Sequence, residues 1–422
     1  MYKTDVLNNG LKLITCNMPH MESAAFGIWI NVGSRYENND NNGIAHFLEH
    51  LFFKGSKKYS CKKIKQSIEG IGGSLNGFTS EELCCYLVKL PARHLNLALD
   101  ILSDMVLNPL LPAKELEKER GVIIEEINMY KDLPASYVLL LLAGLLWPRQ
   151  PLGASIAGTV QSVSSIKRES LFSFKEKFYT ASNIVIVCCG RLREDAVLKK
   201  MASLFGRLKC GEKNRFVSAR EKQNRPQLSV VHKDTEQTRI AMGFHALRRS
   251  HPDRFGLRLL HVILGANMSS RLFSQVREKQ GIAYEISTQI ENFADTGAFI
   301  IEAGIDNNKV RQGISAILGE LKRIKEEPVS DREFGRAKDY YAGQLAIFLE
   351  DTLSHMLWVG ESMTALEKVY TLDYVKDRLN KIRKEDLMRL SRSIFREGNI
   401  NLAVIGPESN REKELYACLK HD

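Results

Sequence analysis

Residues 43–55 read GIAHFLEHLFFKG. The run has no proline and sets His46, Glu49 and His50 among Ile44, Phe47, Leu48, Leu51, Phe52 and Phe53. A helix turning about 100° per residue puts His46 and His50 about 40° apart on one face and one turn apart in height. Glu49 lies about 100° from His50 and stays within reach of that face. Two neutral imidazoles so placed can share a Zn²⁺ ion, and the carboxylate can hold or deprotonate a water beside it. The plain alternative is a chance meeting of three polar residues on a helix face. Their core-type surroundings weigh against it, because isolated polar groups are costly there without partners.

A tetrahedral catalytic site takes three protein ligands and keeps one position open. The third comes best from PAKELEKERGVIIEEINMYKD, 112–132, which reads as a long helix with Pro112 near its start. Gly121 weakens that helix. Glu119 and Glu126 are seven residues apart and fall within about 20° of each other, whereas Glu125 points about 100° away from Glu126. Periodicity alone does not rank these glutamates, and a solvated charged face is the commonest fate of helical Glu.

H-x-x-E-H followed by E-x6-E, Glu119 to Glu126, resembles the pitrilysin/insulinase zinc metallopeptidases, which include the catalytic subunit of the mitochondrial processing peptidase. The resemblance implies His46, His50 and Glu126 as ligands of one Zn²⁺ per chain, and Glu49 as general base. Glu119 would orient a ligand from behind. In GGSLNGFTSEELCCY, 72–86, Asn76 matches an edge-strand residue that holds the substrate backbone, and Gly77 departs mildly from the small residue usual there. Phe53 matches a position lining the pocket for the residue after the scissile bond. Downstream, SSRLFSQVREKQGIAYEI, 269–286, resembles the family's second-domain motif. It implies that Arg277 contacts a substrate carbonyl and Tyr284 steadies the tetrahedral intermediate. On the residues alone, an exposed helical charge and a core aromatic are the expected readings.

The 422 residues suit two domains of about 200 each. With 44% hydrophobic and 26% charged residues and no low-complexity tract, the composition is that of a globular chain. No apolar run reaches the length of a membrane span, and YVLLLLAGLLW, 137–147, reads as a buried helix. The net charge is +10, with six lysines in KGSKKYSCKKIK, 54–65. A solvated face is the default for that cluster. Beside a cleft it would favour acidic peptides, and no nucleic-acid motif accompanies it. The eight cysteines lack metal or disulfide spacing, and the pairs Cys84–Cys85 and Cys188–Cys189 read as small core hydrophobes. The N-terminus, MYKTDVLNNGLKLITCN, reads as a first strand without a leader, so a bacterial cytoplasm is expected before a mitochondrial matrix.

Strands at 23–34, 82–90 and 183–190 alternate with helical stretches, including 94–109, and the pattern repeats after a polar, basic stretch, 207–226. Strands then fall at LSVVHK, TRIAMGFHA, GIAYEISTQ, GAFIIEAGI and NINLAVIG, with a helix over 252–267 and helical periodicity over 306–395. The expectation is an α+β fold of two homologous domains, 1–206 and 227–422, joined by 207–226, each a mainly antiparallel sheet packed with helices. The helix at 252–267 stands in the place of the first domain's metal helix but offers only His261, so the second domain should not bind zinc. Peptide substrates and a dimer, with itself or with a related subunit, follow from the resemblance, since members enclose peptides between four such domains. A non-catalytic scaffold subunit of the same fold is the competing reading. It is disfavoured by the presence of His46, Glu49, His50 and Glu126.

Overall fold

The computed structural model describes residues 2–212, 214–407 and 412–420. Contacts divide the chain into two compact units, each made of three separate segments. The first comprises 1–129, 154–217 and 347–369, and the second 130–153, 218–346 and 370–422.

The first unit is built on strands β1 (Tyr2–Val6), β2 (Lys12–Asn17), β3 (Ser23–Ile30), β4 (Ser74–Thr79), β5 (Cys84–Pro91) and β6 (Ile184–Gly190). They lie in the order β1-β2-β6-β3-β5-β4, all antiparallel except the β2–β6 pair. The N-terminal stretch is therefore two strands rather than one; Gly10, at a φ of 86°, serves the turn between them. The second unit holds β7 (Gln227–His232), β8 (Gln237–His245), β9 (Ala283–Asn292), β10 (Gly297–Asp306) and β11 (Asn401–Gly406). Their order is β7-β11-β8-β10-β9, with β7–β11 the parallel pair. Leaving β1 aside, the two orders correspond strand for strand, and the α+β duplication expected from the pattern is present.

Period-two alternation explains why the central strands of the first sheet are apolar throughout. Residues 24, 26, 28 and 30 of β3 enter the core beneath helices α1 (Ile44–Phe52), α2 (Cys61–Glu69) and α3 (Leu95–Leu107). Ala25 and Trp29 enter a second core on the opposite face. The adjacent cysteines split likewise: Cys84 and Cys188 face the first core, Cys85 and Cys189 the second. All eight cysteines are free.

The second core is closed by the helix Thr352–Leu366, which supplies Met356, Val359 and Met363. In the second unit, helix α5 (Pro134–Leu146) plays the matching part, laying Val138, Leu142 and Leu146 on a core shared with Ala241, Ile300, Ala403 and Ile405. The boundary between units thus does not cross the chain once at 207–226, as composition suggested. It crosses there, and also at both ends of 130–153 and of 347–369. The apolar stripes of α5 and of Thr352–Leu366 say only that each helix covers a sheet, not which sheet. Among the described residues, no single helix is long and apolar enough to cross a membrane.

Candidate metal centre

Helix α1 presses Phe47, Leu48, Leu51 and Phe52 fully into the first core. Each such burial is worth about 1.5–3 kcal/mol, so the helix cannot roll about its axis. The polar residues His46, Glu49 and His50 are thereby held on the remaining face. The start of the helix is equally fixed. Its N-cap is Gly43, at a φ of 94°, where an added Cβ would lie 2.6 Å from the Ala157 carbonyl oxygen. Glycine has no side chain to cap with, and the buried Glu37 does so from outside the helix. Glu37 Oε2 accepts from Gly43 N at 2.7 Å and from Asn42 Nδ2 at 3.0 Å, while Oε1 accepts from Ala45 N at 2.9 Å. Burial outweighs these bonds and pushes the Glu37 carboxyl up to about 7.

Helix α4 (Ala113–Asp132) delivers both expected glutamates. Glu126 Oε2 lies 3.8 Å from His46 Nε2 and 3.6 Å from His50 Nε2. The ligand atoms of His46, His50 and Glu126 all fall within 4.8 Å of one another. Zinc with bonds of about 2.0–2.2 Å to nitrogen and oxygen needs a set only slightly tighter. Glu119, two turns earlier, turns to the other nitrogen of the ring, with Oε2 3.2 Å from His50 Nδ1. That contact fixes the His50 tautomer and leaves Nε2 for a metal. Burial, and then His50 beside it, press the His46 imidazole down to about 4, so it is neutral and carries a free lone pair. His46 Nδ1 is buried without a hydrogen-bond partner. The donor set therefore fits zinc, and periodicity could not have separated the two glutamates, since they share one helical face.

Glu49 lies beside the histidines without joining the three ligands. Burial raises its carboxyl above the usual range; Glu126 adds to this, and a hydrogen bond from Thr79 opposes it. Thr79 and Gly77 stand on the side of β4 that faces α1, and β4 is the edge strand, as expected. A Cβ at Gly77 would come 3.1 Å from the Phe53 ring and 3.3 Å from Glu49 Cγ, so Phe53 and the base share a wall with Gly77. Asn76 is exposed on the opposite parity of the same strand. Thr79, Glu37 and Lys54, which pairs with Glu119 at 2.6 Å, were not singled out from the sequence. Only the parity of Thr79 with Gly77 was available as a signal.

The remaining two residues lie in the second unit. Arg277 sits in a π-helical segment, Phe273–Lys279, and its guanidinium carbon is 5.4 Å from the centre of the Tyr284 ring. Both are exposed, Tyr284 by 66%, so Tyr284 is not the core aromatic that its strand position alone would suggest. In the helix Arg254–Leu264, His261 bonds to Thr288, and no further metal-binding cluster occurs among the described residues.

Residues 12–160 match the family described as Insulinase (Peptidase family M16), and residues 165–341 match the Peptidase M16 inactive domain. The chain is 35% identical over 410 residues to YmxG, an uncharacterized zinc protease of Bacillus subtilis, covering 97% of this chain and 99% of that one. It is 33% identical over 410 residues to an uncharacterized zinc protease of Mycobacterium tuberculosis, covering 96% and 93%. In fold it is similar to a protease from Helicobacter pylori, with a TM-score of 0.91 at 21% identity over 96% of this chain and 99% of that one. It is also similar to a chain of complex III2 from Candida albicans, with a TM-score of 0.84 at 19% identity over 99% of both chains.

Proposed function

This chain belongs to the insulinase family of zinc peptidases, family M16, and from that premise we propose that it is an endopeptidase hydrolysing short or unfolded polypeptides. The observation that carries the reading is the convergence of His46 Nε2 and His50 Nε2 on Glu126 Oε2 within 3.8 Å, with Glu49 alongside. His46, His50 and Glu126 would hold the zinc, which when bound would supply a Lewis acid for the scissile carbonyl and for the attacking water. Glu49 takes the proton from the attacking water and passes it to the departing amine.

The free edge of β4 offers backbone N–H and C=O groups to an extended peptide, and Asn76 steadies that peptide. Only an unfolded segment can add as a strand, which is why folded proteins are poor substrates. Phe53 lines the pocket for the residue after the cleaved bond, Arg277 contacts a substrate carbonyl, and Tyr284 steadies the tetrahedral intermediate. The working form is a dimer, with itself or with a related subunit, that encloses the peptide. Eight free thiols support a reducing compartment such as the bacterial cytoplasm.

The test pairs zinc content with cleavage of an unstructured peptide library by the wild type and Glu49→Gln. Chelator-sensitive cleavage, lost in a variant that still holds about one zinc per chain, is the expected result. Wild-type protein that holds zinc and cleaves nothing, even with candidate partner subunits added, points to a scaffold. Protein that binds no zinc overturns the site itself.

A further inference from the structure

Glu49 is a long side chain whose carboxylate must be aimed to act, and among the described residues one neighbour bonds to it. Thr79 Oγ1 donates to Glu49 Oε2 at 2.6 Å. Thr79 is the last residue of β4 and pairs with Cys84 on β5. Cys84 is fully buried and its Sγ lies 3.6 Å from Thr79 Oγ1, with the thiol donating. Burial pushes that thiol up, so it keeps its hydrogen. A threonine hydroxyl has one hydrogen to give. With its oxygen engaged by the Cys84 thiol, that hydrogen is directed at Glu49 rather than shared among three rotor positions. The backbone of Thr79 is tied into the sheet as well, so the donor comes from a rigid element.

We propose that Thr79 is the positioning residue of the general base: its hydroxyl pins Glu49 Oε2 and leaves Oε1 for the attacking water. The proposal rests on the peptidase reading above. It assigns Thr79 no contact with substrate, zinc or water, so its removal should slow the chemical step without weakening the binding of metal or peptide.

Steady-state cleavage of one peptide by full-length wild type, Thr79→Val, Thr79→Ser and Glu49→Gln, with zinc content and thermal melting of each, decides the matter. Valine keeps the shape of threonine and removes the hydroxyl. The expected result is a loss of about 10- to 100-fold in kcat for Thr79→Val, with KM within about twofold and zinc retained. Thr79→Ser should recover to within about threefold of wild type. The proposal is overturned if Thr79→Val keeps full kcat, or if KM rises while kcat holds, which would make Thr79 a substrate-strand residue. It is also overturned if Thr79→Ser is as slow as Thr79→Val, which would indicate shape alone. Should Glu49→Gln cleave as fast as wild type, the base assignment itself fails; an inactive Glu49→Gln beside a fully active Thr79→Val sinks only the role of Thr79.

Discussion

Lys54 Nζ lies 2.6 Å from Glu119 Oε1, while the other oxygen of the same carboxylate holds His50 Nδ1 at 3.2 Å. Glu119 is thus gripped from both sides, and the orientation of the His50 ring depends on a lysine that is not one of the three candidate ligands. The lysine is only 21% exposed and the glutamate 9%, which sets this pair apart from ordinary surface ion pairs.

Replacing Lys54 by Met keeps most of the apolar stem and removes the charge. We expect zinc affinity to fall by about tenfold, as is usual when the support of a ligand is lost. Titrating a competing chelator against wild type and Lys54→Met measures it. Equal zinc retention in the two proteins would reduce the pair to surface decoration.

The wall shared by Gly77, Phe53 and Glu49 yields a graded prediction. Gly77→Ala asks the Phe53 ring and Glu49 Cγ to give way by a few tenths of an ångström, and kcat/KM should drop by no more than about threefold. Gly77→Val adds two further methyl groups against the same atoms and should cost about 100-fold, because it displaces the base. Zinc content should be unchanged in both. A valine variant as active as the alanine one would show that the wall is soft.

Glu37 carries a pH prediction. Its folded-state value of about 7 stands above the 4.5 of the free side chain. A carboxyl raised in this way contributes stability that is complete below pH 4.5 and is lost as the pH climbs through 7. Between those limits the wild type should lose stability relative to Glu37→Gln, which does not titrate, by up to about 1.4 kcal/mol per pH unit. Urea unfolding of both proteins in chelator at pH 5, 6 and 7.5 reads the difference. A gap that stays constant with pH would mean the carboxyl keeps its ordinary value behind the helix.

Much of this site is legible in the chain itself. Three polar residues at H-x-x-E-H spacing inside an apolar helix, and two glutamates seven apart on another, define faces that packing must honour. Glu119 and Glu126 share a face but differ in height, and only the approach of α4 to α1 decides which meets the two Nε2 atoms. Thr79 and Glu37 were illegible for a different reason. Each acts through a bond to a residue elsewhere in the chain, 30 residues from Glu49 in one case and eight from Ala45 in the other, and beyond the parity of Thr79 with Gly77 neither stands out by type or period. The placement of α5 and of Thr352–Leu366 was hidden likewise, since an apolar stripe does not name its partner.

The exchange of those two helices bears on how the chain comes off the ribosome. The last strand of the first sheet is β6, ending at Gly190, yet the helix that covers its second face is made only at residues 352–366. Through the synthesis of the intervening residues, Ile14, Trp29, Val187 and their neighbours have no permanent cover. The unit that carries His46, His50 and Glu126 must wait for the other half of the chain, a long-range contact of the kind that slows folding and exposes intermediates to aggregation. A polypeptide cut short just after the first unit's sheet is complete, with His46, His50 and Glu126 all made, would carry one bare apolar face.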